Sequence, residues 1–232
     1  MSQMNKIKLF LPLIIALALS IAASSCMKKE ANGNLVWHGD YMSDSVYITF
    51  DDGPHPEYTP KILDILKKHD AKATFFLVGE WAKKYPEIVG RIHEEGHELG
   101  NHTYSHSDGM VVDELRIEKE IAGTDRLIRG ASNSIPRYFR PPFGFFNFRF
   151  IRLAEKLGYK TVLWTFDVGD WGKISSDAMT KKVLDRARGG SIILLHDGGG
   201  NREELVEALP GMIVGLRAKG YKISPLSEIF CE

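Results

Sequence analysis

The sequence predicts an α/β protein on a parallel β-sheet, closed as a barrel or left open and doubly wound. Three observations point there. From Val46 onward, β-rich runs alternate strictly with stretches of helical period, the signature of βαβ units. The runs VYITF, TVLW and SIILL are apolar almost throughout, as strands buried on both faces are. Residues of chemical interest fall just after the strands rather than within the helices. In a parallel barrel such positions gather at the C-terminal mouth.

The elements follow in order. VYITF is read as the first strand. TPKILDILKKHD brings Ile62, Leu63 and Leu66 onto one helical face. AKATFFLVG is a strand. EWAKKYPEIVGRIHEEG is helical with an interruption at Pro86, which has no backbone N–H to donate. HELGNHTYSH reads as a short strand running into a loop, and DELRIEKEIAGTDRLIRGA as a helix. YFRPPFG ends a strand, and FNFRFIRLAEKLG is a helix closed by Gly158. KTVLWTFDVGDW is one strand with a polar end. SDAMTKKVLDRARGG starts with Ser176 or Asp177 as N-cap. SIILLHDGGG is a strand, REELVEALPGMIVGLRAKG a helix, and YKISPL the last strand. About seven βα units are laid out this way.

The 232-residue chain is 44% hydrophobic and 26% charged, ample material for a core. Thirty basic residues balance thirty acidic ones, so net charge gives no reason to expect a nucleic-acid partner. The N-terminus differs from the rest. Lys6 and Lys8 precede an apolar run from Leu9 to Ala23, then small residues and Cys26, the layout of a secretory signal peptide. The run is short of the ~20 residues a spanning helix needs. Ala23-Ser24-Ser25-Cys26 is similar to a bacterial lipobox, with Ala23 where Leu is usual. The expected organisation is a signal peptide at 1–25, a lipidated N-terminus (Cys26) and linker at 26–43, and one domain at 44–232. The protein is then exported and anchored by lipid to a membrane of the cell envelope. Cys26 and Cys231 are the only cysteines, so one disulfide at most could form, and a lipid on Cys26 excludes it.

The chemistry begins with Asp51-Asp52 in ITFDDGPHP. Asp before Gly is ordinary turn chemistry, but two adjacent carboxylates repel. His102 and His106 are four apart in NHTYSH, a spacing at which two imidazoles can reach one ion. With a carboxylate from Asp51 or Asp52 they make a two-histidine, one-carboxylate set that leaves positions open for water and substrate. Zinc suits such donors and lowers the pKa of a bound water to roughly 7. The other Asp could then take the proton, which would give adjacent acids different tasks. His196 stands where a general acid could protonate a leaving group, or where a strand-end histidine could bond a carbonyl. Arg140 could hold the base carboxylate by a charge-assisted bond or could form a surface ion pair. Trp171 and Leu194 could wall an apolar pocket or belong to the core.

TFDDGP (Thr49–Pro54), HTYSH (His102–His106), RPPFG (Arg140–Gly144), DVGDW (Asp167–Trp171) and ILLHD (Ile193–Asp197) together resemble the five ordered motifs of the polysaccharide deacetylase family, the NodB-homology domain or carbohydrate esterase family four. The resemblance runs from about Val46 to Ile229. It implies a distorted, incomplete (β/α) barrel of about seven parallel strands and metal-dependent removal of acetyl groups from polysaccharides. It implies Asp51 as catalytic base, and Asp52, His102 and His106 as ligands of a divalent metal, zinc first, with cobalt or another transition metal as alternatives. Arg140 then positions the base, Asp170 tunes the histidine and His196 is that histidine. Trp171 and Leu194 hold the acetyl methyl. Phe143 stands where the family often has Tyr, and its backbone N–H contributes to an oxyanion hole. Asp52 argues against the muramic-acid subgroup, which carries Asn there. The expected substrate is an N-acetylglucosamine polymer: peptidoglycan, a chitin-like chain or poly-N-acetylglucosamine. Alternatives are O-acetylated xylan and a non-catalytic glycan-binding lipoprotein. No protein partner is implied.

Overall fold

A computed structural model describes residues 35–107, 113–145 and 147–230. The expected signal peptide and Cys26 lie outside them. Eight strands lie along one parallel path in the order β1 (Leu35–Val36), β6 (Lys160–Val162), β5 (Tyr138–Phe139), β4 (Glu98–Asn101), β3 (Thr74–Leu77), β2 (Ser45–Gly53), β8 (Ile192–His196) and β7 (Phe166–Asp167). A ninth strand, β9 (Lys222–Ile223), pairs with the start of β2. The sheet curls into an incomplete barrel. Its two ends are held near each other because β6 and β7, on opposite sides of the path, are joined by only Leu163–Thr165. Leu163 N–H donates to Val36 of β1, and Thr165 N–H to Ile192 beside β7.

Alternation along the strands sorts side chains between the two faces. Val46, Ile48 and Phe50 of β2, Phe75 and Leu77 of β3, and Ile193 and Leu195 of β8 join the main apolar core. Helices supply its outer layer: α1 (Tyr58–Lys68) with Ile62, Leu63 and Leu66, α3 (Pro86–Glu94) with Ile88, Val89 and Ile92, and α7 (Glu203–Ala218) with Leu205, Leu209, Met212, Ile213 and Leu216. A second cluster joins Ile117 and Ile121 of α4 (Glu114–Ser132), Phe139 of β5, and Phe150 and Leu153 of α5 (Phe148–Lys156). The opposite lane of β2 carries Tyr47, Thr49 and Asp51, and that of β8 carries Ile192, Leu194 and His196. This lane leads to the mouth.

Several elements differ from the sequence reading. The helix expected across Pro86 is two helices, α2 (Gly79–Lys84) and α3, with Pro86 in the first turn of the second, where a missing N–H costs nothing. The strand read from Lys160 to Trp171 splits into β6 and β7, because its halves pair with different neighbours. The N-cap of α6 (Ser176–Arg186) is Ser175, whose hydroxyl accepts from Ala178 N–H, rather than Ser176 or Asp177. Leu35 and Val36, inside the expected linker, form β1 against β6. The helix Ser227–Phe230 (α8) closes the described chain. No helix among the described residues is long and apolar enough to cross a membrane.

Gly100 in β4 lies against the Phe76 ring, which any Cβ there would overlap. Gly100→Ala should cost about 1–3 kcal/mol by overpacking, a drop of roughly 2–12 °C in thermal midpoint. Gly130 in α4 has open space around it. Gly130→Ala should instead stabilise by about 0.5–1 kcal/mol. Thermal unfolding of the two variants beside the parent checks both signs.

Candidate active site

Adjacent residues in a regular strand point to opposite faces, so Asp51 and Asp52 could not share a site without a break in the ladder. The break is present. Asp51 pairs with Phe76 and Gly53 with Leu77, leaving Asp52 as the extra residue of a bulge. Asp52 has φ +72°, a left-handed conformation that Asp tolerates better than most residues. Both acids therefore lie within the end of β2 rather than after it. The Gly198 backbone packs so closely on Asp52 that a Cβ there would overlap the Asp52 carbonyl. Asp197 N–H donates to the Asp51 carbonyl at 3.0 Å, and the Thr59 hydroxyl donates to the Asp197 carboxyl.

His102 and His106 occupy the loop after β4. That loop is held from behind by residues the sequence reading did not single out. Asn101 Oδ1 accepts from Thr103 N–H at 3.0 Å, while its Nδ2 donates to the Ile121 carbonyl and the Tyr159 hydroxyl. Glu120 of α4 accepts from the Tyr104 and Ser105 N–H groups at 2.9 and 2.7 Å and from the Ser105 hydroxyl. These bonds fix a turn in which Thr103 and His106 take φ +67° and +52°. Asn101 adjoins the histidine motif and could have been noticed there. Glu120 lies 14 residues past His106 on a helix face, with nothing in the local pattern to mark it.

His102 Nδ1 lies 2.7 Å from the Arg140 carbonyl, so Nδ1 carries the proton and the Nε2 lone pair faces the site. Nε2 of His102 is 3.5 Å from Asp52 Oδ1, and Nε2 of His106 is 3.1 Å from the same oxygen. That oxygen is buried and accepts no hydrogen bond among the described residues. One ligand atom from each of Asp52, His102 and His106 lies within 4.8 Å of the others. An orphaned carboxylate oxygen and two imidazole nitrogens facing one point fit a divalent cation.

Asp51 faces a different set. Arg140, which follows β5, is fully buried rather than part of a surface ion pair. Its Nη1 donates to Asp51 Oδ1 at 2.7 Å and to Thr49 Oγ1 at 2.9 Å. Its Nε and Nη2 donate to the carbonyls of Val162 and Leu163. The guanidinium lies 4.0 Å above the centre of the Phe76 ring. Asp51 Oδ2 is 3.7 Å from His102 Nε2, so the two acids flank the same imidazole.

His196 is the ladder partner of Asp51 across β2 and β8. Its Nδ1 lies 2.8 Å from Asp170 Oδ1, and its backbone N–H donates to Asp170 Oδ2 at 2.7 Å. Arg202, itself buried, donates to the Asp170 carbonyl and to Gly198. Burial disfavours the imidazolium, but Asp170 outweighs it and pushes His196 up to about 9. Phe143 has φ +59° and sets its ring edge-on to His106, with centres 4.7 Å apart. Leu194 is buried on β8 two residues before His196. Trp171 is two-thirds exposed, and its indole N–H donates to Asp167 Oδ2 at 2.8 Å. Asp51, Asp52, His102, His106 and Arg140 thus form one connected set with Phe143 against it. Asp170 and His196 form a second set, joined to the first through the β2–β8 ladder.

A parallel half-barrel whose mouth joins a His-His-carboxylate set to an arginine-braced acid and an acid-braced histidine is built as a hydrolytic centre. The chain belongs to the polysaccharide deacetylase family, whose model matches residues 38–162, more than half of its length. That match spans the site from Asp51 to Phe143, and Asp170, Trp171, Leu194 and His196 lie beyond it. A peptidoglycan-N-acetylglucosamine deacetylase of Bacillus cereus is 42% identical over 193 residues, covering 83% of this chain and 70% of the relative. A chitooligosaccharide deacetylase of Azorhizobium caulinodans is 36% identical, covering 78% and 92%. The crystal structure of the Bc1960 peptidoglycan N-acetylglucosamine deacetylase, bound to a hydroxamate (an N-oxidanyl benzamide), superposes with a TM-score of 0.84 at 39% identity, covering 87% and 94%.

The Asp170–His196 pair has a direct test. By NMR titration His196 should titrate near 9, and in Asp170→Asn its pKa should fall, because burial is then opposed only by the charges of Asp51 and Asp52. A value left near 9 in the variant would show that another group charges the ring.

Proposed function

We propose that the protein is a metal-dependent hydrolase that removes N-acetyl groups from an N-acetylglucosamine polymer of the cell envelope, releasing acetate. The observation that carries this reading is the division of labour between neighbouring acids: Asp52 faces two imidazole nitrogens, while Asp51 faces a buried guanidinium. Asp52, His102 and His106 would hold a divalent cation, zinc first and cobalt next by the character of the donors. Such an ion acts as a Lewis acid on the acetyl carbonyl and acidifies water.

The protein's own groups do the rest. Asp51, fixed by Arg140, accepts the proton of the water that attacks the acetyl carbon. The Phe143 N–H donates to the oxyanion that forms. His196 is an acid still protonated at neutral pH, and it delivers its proton to the departing nitrogen. The C–N bond breaks, acetate leaves and the sugar keeps a free amine. Leu194 and Trp171 border the acetyl methyl. An ester of acetylated xylan would be cleaved by the same groups, but peptidoglycan and chitooligosaccharide deacetylases among the relatives favour the amide. For the N-terminal region, residues 1–25 are a signal peptide, Cys26 carries lipid, and 26–43 lead to the catalytic domain at 44–232.

Acetate release compared across peptidoglycan, chitin oligomers, poly-N-acetylglucosamine and acetyl-xylan decides the substrate class, and faster release from acetyl-xylan would favour the esterase reading. Chelation should abolish release, and added zinc or cobalt should restore it. Asp52→Ala should lose metal and activity together. Asp51→Asn should keep its metal and lose on the order of 10²–10⁴ in turnover. Metal content and turnover measured on the same samples check this, and the reverse pattern would exchange the two roles. Mass spectrometry of the membrane fraction should find Cys26 as a modified N-terminus, and an unmodified Cys26 there rejects the anchor.

A further inference from the structure

A second arginine is buried near the mouth. Arg202, the residue before α7, is 4% exposed, and it pairs with no carboxylate among the described residues. A buried guanidinium is costly, and here no facing anion offsets the cost. Its donors go to the backbone instead. Nε donates to the Gly198 carbonyl at 2.9 Å, and Nη1 donates to the carbonyls of Asp170 and Asn201, each at 3.1 Å.

Those carbonyls belong to the two segments that frame His196. Gly198 lies two residues past His196 at the end of β8, and Asp170 lies in the loop after β7. The β7–β8 ladder does not reach Asp170. It ends with Asp167 opposite Leu194 and the Val168 N–H donating to the Leu194 carbonyl. Gly169 then turns the chain with φ +85°. Lys182 of α6 donates to the Val168 carbonyl at 2.9 Å, and Asp167 accepts from the Gly169 N–H at 2.6 Å, so the residues before Asp170 are pinned. The Asp170 carbonyl itself is held by Arg202. Its placement matters, because one carboxylate meets His196 twice, with Oδ1 2.8 Å from the ring Nδ1 and Oδ2 2.7 Å from the backbone nitrogen. A grip on two points tolerates little displacement.

Resting on the role proposed for His196 as the acid, we infer that Arg202 is a positioning residue for the reaction: it clamps the segments after β7 and β8 together and so holds the Asp170 carboxylate on His196. It acts through Asp170 and not on the reacting atoms. The charged groups that act on the ring are Asp170 from the loop after β7 and Asp51 and Asp52 from β2, all anionic. A cation acting directly on the imidazolium would disfavour it. Removing Arg202 therefore has opposite signs in the two cases: a lost clamp lowers the pKa of His196, and a lost neighbouring charge raises it.

His196 is titrated by NMR in the full chain, in Arg202→Met, in Asp170→Asn and in the double variant. Arg202→Met should lower the value, and the double variant should titrate where Asp170→Asn does, because both changes act through one contact. An unchanged or raised value in Arg202→Met overturns the clamp, and so does a further fall in the double variant. Leu209→Ala, in the core on the same helix α7, sets the level for lost stability alone. It should lower the thermal midpoint and leave His196 where it was, and an equal fall there would reduce Arg202 to a structural residue. Arg202→Lys keeps the charge without the planar fork and provides the same reading where the methionine variant does not fold. Turnover of Arg202→Met should drop by up to about 10²-fold, with the alkaline limb of the rate–pH profile moved to lower pH. Acetate release by the parent is scored separately. The expected titrations without any release would reject the deacetylase reading and leave the clamp standing.

Discussion

The site depends on one buried cation. A guanidinium without access to water is costly unless its donors are engaged. Arg140 directs them at a carboxylate, a hydroxyl and two backbone carbonyls, and lays its plane on Phe76. Those contacts tie β2, β5 and β6 together inside the curled sheet. Its own carbonyl fixes the tautomer of His102. One residue thus orients the acid that would take a proton and the imidazole that would bind the cation. Gly100 belongs to the same arrangement, because its missing side chain makes room for the ring beneath the guanidinium.

The two neighbouring carboxylates coexist because their surroundings differ. The bulge at Asp52 turns it away from the path of a regular strand and toward His102 and His106, while Asp51 stays in the lane of Thr49 and Arg140. Asp51 faces a guanidinium, and Asp52 faces two imidazole nitrogens. The His196–Asp170 pair repeats the device with opposite sign: a carboxylate keeps an imidazole protonated. The mouth therefore holds a guanidinium-bonded carboxylate and a carboxylate-bonded imidazole on adjacent strands.

Much of this was legible in the chain. Strand–helix alternation gave the parallel class, and the placement of Asp51, His102, Arg140, Asp170 and His196 just at or after strands indicated a shared mouth. What escaped depends on tertiary pairing. The division of Lys160–Trp171 into two strands follows from a change of neighbour that no local period records. The strand at Leu35–Val36 exists because β6 offers it an edge. Glu120 braces the histidine loop from a helix, and its spacing on that helix is that of any surface acid. The bulge at Asp52 was hidden for another reason: Asp-Asp-Gly suits a turn as well as a strand end, and only the register against β3 tells them apart.

The ladder that pairs Asp51 with His196 joins residues at nearly opposite ends of the domain. Strand β2 emerges early, yet one of its two long partnerships waits for β8, more than 130 residues later. Non-local pairing of this kind makes folding slow, because loop-closure entropy is lost before the contact forms. Asp51 and His196 cannot face each other until both strands are in place. On the proposed roles of Asp51 and His196 the site is completed late in assembly, because no chain that stops short of β8 can bring the two together.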